Sequence, residues 1–103
     1  MAKTKEEREV ITNLSDTVYL MNSADYRERF IAEYWQTKLR YEKLKAFNTK
    51  IEAAQRMRFS ELDSKLKEPV HDCPADLLIE QQRIMGEYLH LLELRAVIEG
   101  ITL

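Results

Sequence analysis

The chain contains few of the residues that interrupt helices or that support thiol and metal chemistry. Its 103 residues include two glycines, two prolines, two histidines and one cysteine. A single cysteine, Cys73, cannot form an internal disulfide. The scarcity of glycine and proline, together with 33% charged residues, is typical of long, solvated helices rather than sheets. The length corresponds to one domain.

Long apolar runs and a strong charge of one sign are also missing. No stretch approaches the ~20 apolar residues that span a bilayer, and the first residues are charged where a secretory signal needs an apolar core. The formal net charge is −2, whereas nucleic-acid-binding domains usually carry a large basic excess. We therefore expect a cytoplasmic protein without a membrane span, and generic nucleic-acid binding is disfavoured.

The first 23 residues predict an N-terminal helix and a connector. Thr4 and Glu7 have the spacing of a capping box, which predicts a helix that runs to about Leu14. Residues 15–23 are ambiguous, because Thr17, Val18 and Tyr19 resemble a strand that has no second strand to pair with. We interpret this segment as helix or packed connector.

Residues 24–56 predict a long helix that Asn22 or Ser23 can cap. One of its faces carries apolar residues at steps of three, four or seven, which is the pattern of a buried stripe. These predicted core residues are Tyr26, Phe30, Tyr34, Tyr41, Leu44, Phe47 and Ile51. A second apolar row lies on roughly the opposite side and comprises Ile31, Trp35, Leu39 and Ala46. One partner helix cannot cover both rows.

Residues 57–73 predict a connector in which Ser60 and Asp63 could start a short turn before Pro69. Pro74 then opens a helix over residues 74–99 that Gly100 closes. The predicted core stripe of this helix is Leu77, Leu78, Ile84, Met85, Tyr88, Leu91, Leu92 and Ile98. The sequence thus predicts an all-α fold: a long antiparallel helical hairpin with an additional N-terminal helix, assembled into an oligomer, most simply a dimer.

Charge favours the pairing of the two long helices. Residues 24–56 hold eight basic and five acidic side chains, whereas residues 70–103 hold two basic and six acidic ones. Exposed ion pairs contribute less than ~1 kcal/mol each, so this asymmetry selects the partner helix more than it stabilises the fold.

The second row of the long helix is the most interaction-like surface in the sequence. An aromatic anchor such as Trp35, flanked by Ile31 and Leu39, is typical of binding surfaces, although the N-terminal helix could equally cover this row. Lys38 and Lys45 lie in a basic row beside the apolar stripes, which is either solvated or in contact with an acidic partner.

Arg95 lies in line with the predicted core of the last helix, where a guanidinium requires a carboxylate or a partner. The predicted partner-binding residues are therefore Ile31, Trp35, Leu39, Lys38, Lys45 and Arg95.

Catalytic and metal-binding patterns are weak. His71, Asp72 and Cys73 are possible metal ligands, but adjacent residues rarely converge on one ion and no second cluster completes a site. Nucleophilic catalysis by Cys73 requires a nearby base, and His90 is expected on the outer face of the last helix. We predict no catalytic residue, no metal and no cofactor, and hence no enzyme.

Two segments resemble a known family. Residues 24–47 (ADYRERFIAEYWQTKLRYEKLKAF) and residues 73–103 (CPADLLIEQQRIMGEYLHLLELRAVIEGITL) are similar to small phage and prophage proteins of gut bacteria, also encoded by crAss-like bacteriophages. The family has no assigned catalytic residues, so the resemblance implies no site. It implies a viral origin, the cytoplasm of a bacterial host and an accessory role during infection.

The resemblance implies a protein that binds and blocks a host factor. Small acidic phage proteins often occupy the surface of a host protein, and inhibitors of CRISPR or of other nucleic-acid-targeting defence complexes are prominent among them. Two alternatives remain open. One is a structural or regulatory phage protein that self-associates, and the other is a protein that sequesters a nucleotide or nucleic acid through Arg95 or the basic row in an oligomeric pocket.

Overall fold

The computed structural model describes residues 10–58 and 66–103, and these residues contain helices and no strand. A 3₁₀ turn at Leu14–Thr17 leads into the single turn α1 (Val18–Met21). Two long helices follow, α2 (Tyr26–Arg58) and α3 (Ala75–Glu99), and they pack antiparallel in a rod of 59 × 23 × 23 Å. The predicted all-helical hairpin is confirmed. None of the helices in the described ranges is long and apolar enough to cross a membrane.

The N-terminal segment differs from its prediction. Residues 10–13, which the sequence assigned to the end of a first helix, are not helical, and Thr4 and Glu7 lie outside the described residues. A capping box formed by Asn13 and Asp16 starts the 3₁₀ turn instead. The Asp16 carboxylate accepts bonds from the backbone of Thr12 and Asn13, at 2.9 and 3.1 Å, which lower its pKa. These side-chain bonds to the backbone replace the hydrogen bonds of a continuous helix, so the helix does not extend through residues 10–13.

The start of α2 is fixed by side chains that accept its unpaired N–H groups. Asp25 accepts a bond from the Arg27 N–H at 2.9 Å, and Ser23 accepts one from the Asp25 N–H at 3.0 Å. Ser23 also donates its hydroxyl proton to Glu28 at 2.7 Å. The cap therefore involves Ser23, as one of the two predicted candidates, together with Asp25.

The end of α3 has the predicted form. Gly100 has a φ of +70°, the left-handed conformation that glycine adopts without steric cost. The Ile101 N–H then donates to the carbonyl of Ala96 at 2.8 Å, and the Ile101 side chain is buried. Pro74, which was predicted to be the first residue of this helix, is its N-cap, and α3 begins one residue later at Ala75. In the connector, Ser60 and Asp63 lie outside the described residues, and residues 66–74 are irregular.

The two long helices meet along a row that repeats at steps of four and three residues. On α2 this row contains buried Phe30, Tyr34, Asn48 and Ile51 with half-buried Tyr41 and Leu44. On α3 it contains buried Leu89, Leu92 and Ala96 with half-buried Leu78, Gln82 and Met85. Alternating steps of this kind are the pattern of coiled-coil packing.

The predicted core stripe of α3 is wrong at most of its positions. Leu78, Met85 and Leu92 do face α2, but Leu77, Ile84, Tyr88, Leu91 and Ile98 are exposed. α3 carries two adjacent apolar rows, and the hairpin buries the row that contains the smaller residues. The two helices also approach closely at Gly86, beside this row, where an added methyl group would lie 3.2 Å from the Tyr41 ring.

A polar pair interrupts the apolar seam. Asn48 is 7% exposed, and its amide donates to the Gln82 side chain at 2.9 Å and to the Leu78 carbonyl at 3.1 Å. The adjacent Gln81 is exposed instead. A buried amide pair within a seam favours one register of the two helices over shifted ones.

Three tyrosine–glutamate hydrogen bonds also join α2 to α3. Tyr34 donates to Glu93 at 2.7 Å, Tyr26 to Glu99 at 3.0 Å and Tyr88 to Glu33 at 2.5 Å. Burial of Tyr34, with the bond to Glu93, raises the pKa of its phenol. No ion pair joins α2 to α3 within residues 26–58 and 75–99. Phenol–carboxylate bonds therefore provide the contacts that the charge asymmetry had led us to expect as ion pairs.

Candidate functional site: an arginine-lined trough

The apolar row predicted to bind a partner is largely covered by the chain itself. Ile31 is 2% exposed and belongs to the same cluster as Leu20 of α1, and Trp35 is half-buried against that cluster. Leu39 is also half-buried and lines a small crevice with residues 12–14. The sequence left two alternatives for this row, contact with a partner or coverage by the N-terminal segment, and in the monomer the N-terminal segment covers it. Ile31 is a core residue, and it presents no surface to a partner in this fold.

The predicted basic residues lie at separate places. Lys38 forms an ion pair with Glu42 at 3.1 Å and lies 5.8 Å from the centre of the Tyr41 ring, whereas Lys45 is exposed. Arg95 lies on the other side of the hairpin. The structure therefore does not bring the six predicted partner-binding residues into one surface, and the role of Lys38 and Lys45 in binding stays a prediction.

The histidine and cysteine of the connector do not converge. His71 contacts the Cys73 carbonyl at 2.6 Å and lies 3.6 Å from the Glu68 carboxylate, while Asp72 and Cys73 are exposed. In the part of the chain that the structure describes, no three His, Cys, Asp or Glu side chains are grouped as metal ligands.

A trough runs along α2 between α1 and α3. Its volume is about 580 Å³, within the range of small-molecule sites. We call it the arginine trough. It is lined by Met21, Tyr26, Arg29, Phe30, Glu33, Gln36, Thr37, Arg40 and Arg95. The α2 residues among them recur at steps of three and four, so they share one face of the helix.

Three contacts hold the walls of the arginine trough in place. On the α1 side, the Gln36 amide donates to the Thr17 hydroxyl at 3.0 Å and also contacts the Met21 sulfur. On the α3 side, Tyr88 donates to Glu33. The bond to Glu33 is the main cause of a raised pKa at the Tyr88 phenol. Side chains from all three helices therefore determine the shape of the trough.

Three guanidinium groups and one carboxylate give the arginine trough a positive charge. Arg95 lies 4.8 Å above the Phe30 ring and bonds to Glu99 at 3.0 Å. The bond from Arg95, followed by that from Tyr26, lowers the pKa of Glu99. Arg29 donates to the Ser23 carbonyl at 2.8 Å. Arg40 is exposed and makes no ion pair with another described residue.

This arrangement suits an anion with a planar part. Guanidinium groups bind phosphate and carboxylate oxygens through paired hydrogen bonds. The Tyr26 ring, 47% exposed, offers an aromatic surface beside them. Only Arg95 of these residues was predicted to bind a partner. The sequence predicted Tyr26 in the core, although the spacing of residues 26, 29, 33, 36 and 40 already puts these side chains on one face.

Comparison with known proteins gives one informative result. The chain matches the Sequestin family over residues 24–98, which include α2, the connector and nearly all of α3. No curated protein and no solved structure matches it. The viral origin implied by the resemblance to phage proteins stays a prediction. Because the match extends over more than half of the chain, the protein belongs to the Sequestin family.

Proposed function

We propose that this protein sequesters a small anionic ligand of the nucleotide type in the arginine trough. The observation that carries the proposal is the grouping of Arg29, Arg40 and Arg95 around a trough of about 580 Å³, whose lining contains one carboxylate, Glu33, and in which Arg95 is paired with Glu99. The name of the family supports a sequestering role. A nucleotide combines the two features that the lining would recognise, a phosphate and a planar base.

Different residues of the arginine trough would recognise the phosphate and the base of the nucleotide. Arg40 and Arg29 are exposed and would contact the phosphate, while Arg95 is held by Glu99 and Phe30 and contributes a fixed charge. The Tyr26 ring would contact the base, and Gln36 and Thr37 supply neutral donors and acceptors further along the trough. Sequestration requires affinity and sufficient protein, not a chemical step, so the proposed activity is binding without turnover.

The resemblance to phage proteins suggests a setting for this activity. In an infected bacterium, a protein that retains a nucleotide signal would lower the free concentration available to a host defence. This proposal keeps the anti-defence role predicted from the sequence and changes the target from a host protein to a small molecule.

Isothermal titration calorimetry with AMP, cyclic AMP and ATP tests the proposal, with inorganic pyrophosphate as the anion without a base. We expect Arg40→Ala to weaken nucleotide binding at least tenfold, because a charge-assisted hydrogen bond contributes about 1.5 to 3 kcal/mol. Lys45→Ala is the matched control, since it removes the same charge from an exposed position of α2 outside the trough. Equal losses in both variants, or no heat with any nucleotide, would contradict the proposal.

A protein partner is the second candidate, favoured by the exposed apolar side chains of α1. Val18, Tyr19 and Met21 are each about half exposed, and Lys45 lies on an open part of α2. Affinity capture from a bacterial lysate, compared between the native chain and Tyr19→Glu, distinguishes this candidate: a host protein lost only in the variant would support it.

A further inference from the structure

α3 presents a row of mostly apolar side chains that the hairpin does not cover. We call it the α3 stripe, and its members are Leu77, Gln81, Ile84, Tyr88, Leu91, Arg95 and Ile98. Its aliphatic members are 50 to 82% exposed. The α3 stripe extends over about 32 Å at ~1.5 Å per residue, which is most of the length of α3.

The spacing of the α3 stripe is that of a helix-packing seam. Its residues alternate in steps of four and three, as do those of the row that packs on α2. Each member precedes a member of that row by one residue, so the two rows are about 100° apart around the helix. α3 is therefore built to pack against two helices at once, and within the described residues one of these helices, α2, is present.

The order of residue types along the α3 stripe favours a second copy of α3 as the second helix. The stripe reads apolar, polar, apolar, Tyr88, apolar, polar, apolar, so it is symmetric about Tyr88. Gln81 and Arg95 each lie seven residues from Tyr88, and Ile84 and Leu91 lie four and three residues from it. A twofold axis near Tyr88 would thus bring apolar side chains against apolar ones and Gln81 within about one turn of Arg95 from the other copy.

Parallel pairing of the same stripe is disfavoured by charge. It would place Arg95 against Arg95 in the seam, and like charges in such a position cost free energy. The antiparallel arrangement instead gives each guanidinium a neutral amide acceptor in addition to its own Glu99. The polar positions of the α3 stripe therefore select both the partner and its direction.

We propose that two copies of this chain pack antiparallel along the α3 stripe, and that the second copy completes the arginine trough. Arg95 belongs to both the stripe and the trough, and Tyr88 bonds to Glu33 on the trough lining. A second α3 docked on the stripe therefore lies along the α3 wall of the trough, where its Gln81 adds a hydrogen-bonding group beside Arg95. The second part of this inference rests on the proposed ligand binding; the first part does not.

A charge exchange across the seam tests the pairing. Ile84→Lys and Leu91→Glu should each convert a dimer into a monomer in multi-angle light scattering, because each buries an unpaired charge in the seam. Combined in one chain, the two substitutions should restore the dimer, because antiparallel packing brings position 84 near position 91 of the other copy. Ile79→Lys is the matched control: Ile79 is 55% exposed but lies on the opposite face of α3, so this variant should stay dimeric.

Light scattering tests the pairing of the two copies, and ATP titration tests separately whether the second copy completes the arginine trough. A native chain that is monomeric at all accessible concentrations, or a dimer that survives both single substitutions, overturns the pairing. Retained helicity in circular dichroism shows that each variant is folded, since these positions are exposed in the hairpin. If the dimer forms and exchanges as expected, titration with ATP should show at least tenfold weaker binding for Ile84→Lys and recovery for the double variant. Equal ATP affinity in monomer and dimer would leave the pairing intact and overturn completion of the trough.

Discussion

The two long helices carry two apolar rows each, and they differ in what covers these rows. On α2, one row packs on α3 and the other lies under the N-terminal segment, so that Phe30 and Ile31 are both almost fully buried. On α3, one row packs on α2 and the other, the α3 stripe, is exposed. A short segment of two helical turns is enough to change an apolar row from a surface into a core. A second apolar row is therefore buried on α2 and exposed on α3, although the two rows look alike in the sequence.

The largest expected effect is a loss of stability when the covered row of α2 is truncated, compared with the same change in the exposed row of α3. Ile31→Ala should lower the free energy of unfolding by about 2 to 5 kcal/mol, because it removes a buried side chain and leaves a cavity. Ile84→Ala, at a half-exposed position, should change the stability of the monomer by less than ~0.5 kcal/mol. Urea unfolding followed by circular dichroism at low protein concentration compares the two. Similar losses would mean that α3 is covered as completely as α2.

A second prediction concerns the polar pair within the covered seam. Asn48→Ala should cost about 1 to 3 kcal/mol, because it leaves the Gln82 amide without its buried partner. A double-mutant cycle with Gln82→Ala should give a coupling free energy of about 1 kcal/mol. Urea unfolding of the four proteins provides the values. Strictly additive losses would show that the 2.9 Å contact contributes little to the seam.

The smallest expected effect is a dependence on alkaline pH. Tyr34 has a raised pKa in the folded protein, because it is buried and bonded to Glu93. A group whose pKa is higher in the folded state stabilises that state below its unfolded pKa, here 10.0, and this stability is lost as the pH rises beyond it. Unfolding by urea between pH 8 and 11 should show a steeper loss for the native chain than for Tyr34→Phe. Parallel curves would contradict the assignment.

The sequence was sufficient to predict the helices but not to choose between adjacent rows. Gly100, Pro74 and the absence of breakers in residues 26–56 define the ends and the length of α2 and α3, because these signals are local. Leu89 is buried and Leu91 is not because of how closely α2 and α3 approach each other. This distance depends on Gly86 and Tyr41 together, which lie far apart in the sequence. A one-residue shift moves the packing face by about 100°, which is the size of the error in the predicted core.

The candidate site was less predictable for a related reason. Arg95 is conspicuous in the sequence because an arginine in an apolar row is unusual, whereas Arg29 and Arg40 resemble any solvated arginines of a charged helix. Their grouping requires α1 and α3 to stand on either side of α2, with Met21 and Arg95 as opposite edges. The prediction of a small N-terminal helix gave no indication that its continuation would form one wall of a trough.

The tyrosine–glutamate bonds between α2 and α3 have a consequence for ionic strength. Each joins a neutral phenol to a carboxylate, so dissolved salt has little opposite charge to screen across the hairpin. The proposed contacts in the arginine trough would instead join full charges, and those weaken as salt is added. The protein is thus arranged so that a rise in salt would release an anionic ligand well before it loosened the scaffold that holds the arginines in position.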